Sequence, residues 1–327
     1  MKLQILVPQY KETDEVVKPL LDSIAVQQSV NLKDDVGVII VNDGTDVRLS
    51  EKLLNSYPFK VEYYCEESRG VSGTRNACLD HATADYVMFC DADDMFCNVC
   101  GLYIIFREID NGGFDSIVSA FVEESRMPET REVVYINHEM DSTFVHGKVH
   151  NRKFLLKNKI RWNPALTIHE DSYFNCLVQK CATNLKYCPT PFYLWKWRDA
   201  SVCRHDPKYI LKTYNNMLES NTALVSELLS RNKYEAAQFY CVSMIYDAYF
   251  TMNKKEWIDQ ENKEYRDATE RRFAQYYQQF KLLFDTVPEQ VRAQIIMGIK
   301  NRMFQEGLLM ETITFETWIA HIAKLAK

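Results

Sequence analysis

Val87-Met88-Phe89-Cys90-Asp91-Ala92-Asp93-Asp94 is the stretch whose reading decides the fold. Four apolar residues in a row read as a short, fully buried strand. Three carboxylates follow at once. Like charges this close repel, and burying even one is expensive. They persist most easily beside a cation, and hard carboxylate oxygens suit Mg²⁺ or Mn²⁺. A strand that ends in Asp-x-Asp therefore reads as a metal site beside a phosphate. The other reading is an acidic turn that caps a helix beginning near Asn98, because Asp is a good N-cap.

Working outward, the flanking segments alternate between apolar runs and helical periodicity. Leu3 to Val7 is an apolar strand stopped by Pro8, and Gln9-Tyr10-Lys11-Glu12 follows as a loop. Asp14 to Gln28 carries Val17, Leu20, Leu21 and Ile24 at helical spacing. Val36 to Val41 is a second strand and ends in Asn42-Asp43-Gly44-Thr45-Asp46. Leu49 to Ser56 reads as helix and Val61 to Cys65 as a third strand. Gly70-Val71-Ser72-Gly73 opens a helix from about Thr74 to Ala82. Strands alternating with helices predict an α/β fold built on a mainly parallel sheet. Ligands in such sheets sit beyond the C-terminal ends of the strands. The polar turns Tyr10 to Glu12, Asn42 to Asp46 and Asp91 to Asp94 are expected along one rim, unless they are ordinary solvated turns.

Beyond Asp110 the pattern continues with strand-like Ser116 to Val122 and Glu132 to Ile136, joined by a charged turn. A segment containing His146 and His150 precedes a short helix, Arg152 to Asn158. Glu170-Asp171 leads into the helix Ser172 to Lys180, and Leu185 to Tyr187 and Phe192 to Trp197 close the pattern. After about Asp206 the character changes. Tyr209 to Leu229, Tyr234 to Met252, Glu261 to Phe284 and Glu289 to Gln305 are long, amphipathic and helical, with little Gly or Pro. The expected division is 1–206, with a donor half 1–115 and an acceptor half 116–206, followed by an all-helical region 207–327.

Composition narrows the class. Of 327 residues, 46% are hydrophobic and 26% charged, which describes a folded chain of about two domains. A net charge of −6 argues against a polynucleotide as the main partner. The opening run is too short for a signal peptide, and no stretch approaches the roughly 20 apolar residues that span a bilayer. A cytoplasmic location is expected. The ten cysteines are then read as free thiols. Cys97-x-x-Cys100 has no second pair at zinc spacing.

Taken in order, Ile5-Leu6-Val7-Pro8-Gln9-Tyr10-Lys11-Glu12, Val41 to Asp46, Gly70 to Asn76, Asp91-Ala92-Asp93-Asp94 and Glu170-Asp171 resemble the family 2 glycosyltransferases of the GT-A fold. The resemblance covers residues 1–205 and leaves the helical tail uncovered. It implies an inverting enzyme that uses a nucleotide-diphosphate sugar and Mn²⁺ or Mg²⁺. Asp43 is placed to accept a hydrogen bond from a base N–H, which favours uracil, or else builds an Asx turn. The resemblance puts Pro8, Tyr10 and Glu12 around the same base, and Ala92 with Asp91 in the donor site. Arg75, in the first turn of its helix, suits a pyrophosphate, with a surface salt bridge as the alternative. Arg69 is a second candidate. Asp93 is implied as the metal ligand and Asp91 near the ribose or a metal-bound water. Asp94 blurs the register, and His205 is a further candidate ligand.

Asp171 is the expected general base, within reach of the attacking hydroxyl, with Glu170 as the substitute. Both are alternatively first-turn capping residues. His146 and His150 are read as strand residues rather than a shared metal pair. Trp162, Tyr173, Trp195 and Trp197 are a sugar platform or, as such aromatics more often are, core. A saccharide is the favoured acceptor. A modified base in DNA stays open, as does a non-catalytic nucleotide-sugar-binding module. The tail is a possible site of homo-oligomer formation. A nucleotidyltransferase or a dinucleotide-binding dehydrogenase is disfavoured, because no glycine follows the first strand.

Overall fold

The computed structural model describes all residues except 128, 199–208, 254–256, 258, 260–261, 306–312 and 326–327. The chain divides into two compact units, Met1–Ser201 and Val202–Lys327.

The first unit is a single nine-stranded sheet. Its first half runs β1 (Leu3–Gln9), β2 (Val36–Asp43), β3 (Lys60–Glu66) and β4 (Tyr86–Phe89). These four are parallel, in the order β3-β2-β1-β4, with Ile5 opposite both Val38 and Met88. Every residue of β2 is buried, the signature of a strand covered on both faces. On one face, Leu3, Ile5 and Val7 meet Val36, Val38 and Ile40. Helix α1 (Asp14–Ala25) covers them with Val17, Leu20, Leu21 and Ile24, all fully buried. Each such side chain contributes about 1.5–3 kcal/mol by leaving water.

The second half of the sheet is mixed. β8 (Lys148–Asn151) pairs antiparallel with β4 and with β6 (Ser116–Arg126). β9 (Leu185–Trp195) runs parallel to β6, and β7 (Val133–His138) closes a hairpin on β6. The mainly parallel pattern thus belongs to the first four strands. Two shorter helices, α2 (Leu32–Asp35) and α3 (Glu51–Leu54), lie between the early strands. Helices α4 (Gly70–His81), α5 (Gly101–Asp110), α6 (Arg152–Lys157) and α7 (Glu170–Cys181) complete the unit.

Several boundaries differ from the sequence reading. The acidic turn does not cap a helix near Asn98. It leads into β5 (Met95–Phe96), which pairs with Leu194 and Tyr193, and α5 starts only at Gly101. Phe96 packs edge-on against Phe192 at 5.4 Å, and that burial outweighs the capping preference. Helix α4 starts at Gly70, so the small residues 70–73 form its first turn. Glu123 to Arg126 lie on β6 and not in the turn, because β7 pairs with them. Leu185 to Trp195 is one strand, with a register shift opposite Ser119 to Phe121.

The second unit contains α8 (Tyr209–Ser230), α9 (Tyr234–Met252), α10 (Lys263–Asp285), α11 (Glu289–Gln305) and α12 (Phe315–Leu325). From Cys241 to Met252, helix α9 is buried nearly all round and forms the centre. Tyr214 Oη donates to Asp247 and Tyr276 Oη to Asn221, tying α8 to α9 and α10 to α8 at 3.0 and 2.7 Å. Helix α12 was not anticipated, although Phe315, Trp318 and Ile322 have helical spacing. No described helix is long and apolar enough to cross a membrane.

One aromatic cluster links the acidic turn's strand to α7. Phe174 of α7 stacks on Trp162 at 4.2 Å, and both meet Phe89 of β4 edge-on, at 5.6 and 5.1 Å. Phe174→Ala is expected to cost about 3–5 kcal/mol, as the truncation leaves a cavity between these elements. A fall in the urea midpoint of unfolding checks this.

Candidate active site

The C-terminal ends of β1, β2 and β4 meet in one cleft of about 530 Å³. Pro8, Tyr10 and Glu12 line it from the first strand, Asp43 from the second, and Asp91, Ala92 and Asp93 from the fourth. Gly70, Thr74 and Arg75 of α4 line it too, as does Arg198. Buried polar contacts hold the rim. Asn42 Nδ2 donates to Gln9 Oε1 at 2.6 Å and to the Val47 carbonyl at 2.9 Å, joining the loops after β1 and β2. Glu12 accepts from the Tyr10 amide at 2.7 Å. Gly44 sits at φ +69°, and a Cβ there would fall 2.5 Å from the Ser68 nitrogen. Only glycine lets the two segments pass. Asp43, next to it, accepts from the Arg69 amide at 2.6 Å. Arg69 therefore enters through its backbone. Its guanidinium lies 3.6 Å from Glu66, outside the cleft lining.

Arg75 is placed differently from the sequence reading. It sits in the second turn of α4 and is neither a surface salt bridge nor an exposed phosphate ligand. It is 3% exposed, with Nη2 2.8 Å from Asp91 and Nη1 2.9 Å from Glu170. Its guanidinium stacks over Trp162 at 4.5 Å. Burial works against the charge, but Asp91 and Glu170 more than offset it and hold the group protonated. One side chain thus joins the donor-side turn to the start of α7.

The three aspartates of the turn have three environments. Asp93 faces the cleft and pairs with Arg198 at 2.8 Å, and Arg198 also lies 3.5 Å from Glu12. Asp91 is held by Arg75. Asp94 is 1% exposed and turned inward. It accepts from Tyr193 Oη at 2.5 Å and from the Lys196 amide at 2.9 Å. Burial first, then Asp93 and Asp91, push its carboxyl well above the usual range. Tyr193 Oη also accepts from the Asp91 amide at 3.2 Å, so it braces the turn. Asp91, Asp94 and His146 each offer a ligand atom, all within 4.8 Å of one another. His146, set aside in the sequence reading, is therefore the imidazole near the acidic cluster, with Nδ1 3.7 Å from Asp94. The two β8-side histidines do not face a shared site, because His150 bonds Ser116 Oγ at 2.9 Å. This set of two carboxylates and one imidazole, with the repulsion that raises Asp94, fits a divalent cation. His205 lies outside the described residues.

Helix α7 meets the site from the other side of Arg75. Its N-cap is His169, at φ 62°, a left-handed conformation that is strained for a side-chain-bearing residue. Glu170 and Asp171 fill the first turn, as the helix dipole favours. Glu170 is committed to Arg75. Asp171 is half-buried and accepts from the Ser172 amide at 2.8 Å. Burial first, then Glu170, push its carboxyl up to about 7, against the opposing pull of Arg75. A carboxyl in that range can exchange a proton near neutrality.

The aromatic candidates divide. Trp162 and Tyr173 are buried in the core, while Trp195 and Trp197 are half-buried. The nine described cysteines are free thiols.

The glycosyl transferase family 2 model matches residues 4–173. A poly(ribitol-phosphate) beta-N-acetylglucosaminyltransferase from Staphylococcus aureus, TarS, is 29% identical over 185 residues, 53% of this chain and 32% of the relative. A poly(ribitol-phosphate) beta-glucosyltransferase from Bacillus spizizenii is 23% identical over 319 residues, 93% of this chain and 48% of the relative. The chain spans about a third to a half of the length of these relatives. The crystal structure of S. aureus TarS 1–349 in complex with UDP matches with a TM-score of 0.62 at 16% identity, covering 90% of this chain and 86% of that one. The complex with UDP-GlcNAc matches with a TM-score of 0.58 at 18% identity, covering 84% and 81%. These likenesses show a shared fold.

Arg75→Ala strands two carboxylates in a half-buried setting. It is expected to lower stability by about 3–5 kcal/mol. Urea unfolding of the variant beside Arg75→Lys checks it, with the lysine, which keeps the charge without the fork, losing less.

Proposed function

Because this chain belongs to glycosyl transferase family 2, we propose that it is an inverting, divalent-metal-dependent transferase that moves a sugar from a UDP-sugar to a hydroxyl of a saccharide or polyol-phosphate acceptor. The observation that carries this reading is the Arg75 bridge. It sets the donor-side Asp91 and the acceptor-side Glu170-Asp171 on opposite sides of one guanidinium. The poly(ribitol-phosphate) transferases among the relatives, and the UDP and UDP-GlcNAc complexes among the structural neighbours, support the donor and acceptor classes.

The base and ribose lie against Pro8, Tyr10, Glu12 and Asp43, with the second Asp43 oxygen accepting from a uracil N–H. The diphosphate lies toward the first turn of α4, whose amides favour an anion. Arg198 supplies a cation there when it leaves Asp93. A divalent cation held by Asp93 and Asp91, with Asp94 and His146 behind them, would neutralise charge on the departing diphosphate. Asp171 takes the proton of the acceptor hydroxyl. The hydroxyl oxygen forms the new bond to the anomeric carbon from the face opposite the diphosphate. The bond from that carbon to the diphosphate oxygen breaks, and its electron pair leaves with UDP. Attack from the opposite face inverts the anomeric centre, through a transition state of oxocarbenium character.

The pH dependence follows from Asp171. Its carboxyl keeps a proton up to about 7, and only the deprotonated form accepts one from the acceptor. Transfer is expected to fall as pH drops through 7, while UDP binding changes little. A panel of UDP-sugars with Mn²⁺, read as UDP release and product formation, tests the whole proposal. Asp93→Ala should abolish donor hydrolysis and transfer together. Asp171→Asn should bind UDP as the parent does and lose transfer by at least 100-fold, in line with the contribution of general-base catalysis of about 10²–10⁴. Full activity in the presence of a chelator would remove the metal from the reading, and normal transfer by Asp171→Asn would remove the base.

A further inference from the structure

A second cavity, of 330 Å³, opens in the first unit, and the chemistry above has no use for it. It lies at the far end of β4 from the cleft. Asn151, on its wall, pairs with Tyr86, the first residue of β4, whereas the acidic turn follows the last. Helix α7 spans the same interval. It opens on Glu170 and Asp171, and its last residue, Cys181, lines the cavity. From Asp171 to Cys181 is about 15 Å of helix.

The polar groups here are donors that lack acceptors. Lys153 and Lys157 stand one turn apart on α6, so both ammoniums project to one side. Both side chains are exposed, and among the described residues neither meets a carboxylate within 4.0 Å. Asn151 caps α6, its Oδ1 accepting from the Phe154 amide at 3.0 Å. That bond fixes the side-chain amide, and its Nδ2 has no partner among the described residues. The lining contains one acid, Asp115. Its Oδ2 accepts from the Thr183 amide, the Asn184 amide and the Thr183 hydroxyl, at 2.8, 2.9 and 2.9 Å. Two unpaired ammoniums thus face one carboxylate that the wall already satisfies. Phe154, nearly fully buried, adds an apolar surface.

We propose, on the transferase reading above, that this cavity holds a phosphate of the acceptor, a polyol-phosphate chain whose hydroxyl is presented at the same time to Asp171. A phosphodiester accepts hydrogen bonds and donates none, which matches two ammoniums and a free amide. The volume suits one phosphate with its polyol, at the low end of the range for small-ligand sites. A neutral saccharide would leave both ammoniums without a counter-charge. The distance from the cleft selects a chain over a single unit, because only a chain reaches both places. Anchored here, the chain keeps its remaining hydroxyls at high local concentration beside Asp171.

The test reads binding without donor or metal, as the fluorescence anisotropy of a fluorescein-labelled ribitol-phosphate oligomer on the full chain. The double variant Lys153→Gln with Lys157→Gln should weaken binding about 10-fold or more and flatten its salt dependence. Lys153→Arg with Lys157→Arg, which keeps both charges, should bind as the parent does. Both side chains are exposed, so the urea midpoint and UDP affinity should stay at the parent's values. In turnover, KM for the oligomer should rise in the glutamine variant while kcat holds. Unchanged oligomer affinity in the glutamine variant overturns the proposal, as does failure of the parent to bind the oligomer. Inorganic phosphate or monomeric ribitol phosphate bound as tightly as the oligomer would make this a site for a free phosphate, and overturns it too. Failure of the transferase reading shows separately, as no sugar transfer from any UDP-sugar while lysine-dependent binding persists.

Discussion

A guanidinium sealed between two carboxylates holds this molecule's chemistry in register. Arg75 has almost no access to water, so its desolvation must be balanced by Asp91, Glu170 and the Trp162 ring. Those partners come from separate parts of the chain: the turn after β4, the first turn of α7, and the loop before α7. An arginine does this and a lysine does not, because its planar fork meets two acids at once and stacks on an aromatic face. The result is a fixed separation between the acidic turn after β4 and the acidic pair that opens α7.

Around that bridge, five chemically similar acids have become different groups. Asp93 is open to the cleft and balanced by Arg198. Asp91 and Glu170 both pair with Arg75. Asp94 is buried, braced by Tyr193 and the Lys196 amide, and raised by its neighbours. Asp171 has no guanidinium of its own, and its proton affinity lies near neutrality. Burial and the nearest cation make these distinctions, and residue type does not. The strain at His169 belongs to the same arrangement, since a left-handed residue turns the chain into α7 just before the two acids.

Much of the frame was legible in the chain. Buried parallel strands are continuous apolar runs, and β1, β2 and β4 were read as such with their polar ends on one side. Those ends do meet in one cleft. The four long helices of the second unit were read nearly to their termini, because aromatic residues at helical spacing leave little ambiguity. The strands after β4 were read less well. β5 is two residues long, and β8 is four residues with a lysine and a histidine inside it. Their burial comes from antiparallel partners distant in the chain, so no local periodicity marks them. The enclosure of Arg75 was hidden from the sequence reading for the same reason. Arg69 and Arg75 both flank a glycine-rich helix start, and only packing shows which guanidinium is enclosed.

The sequence by itself determined the kinds of groups available and the strand ends that carry them: an acidic turn after an apolar strand, an Asp after a second one, and an acidic pair opening a helix. Local sequence specifies these because backbone preference and apolar patterning act over a few residues. Only the tertiary structure decided which acid is ion-paired, which is buried and which holds a proton near neutrality. It brought His146 and Tyr193 against the acidic turn from segments with no motif of their own. Charge interactions fall off with distance and strengthen with burial, and neither quantity exists until remote segments have packed together.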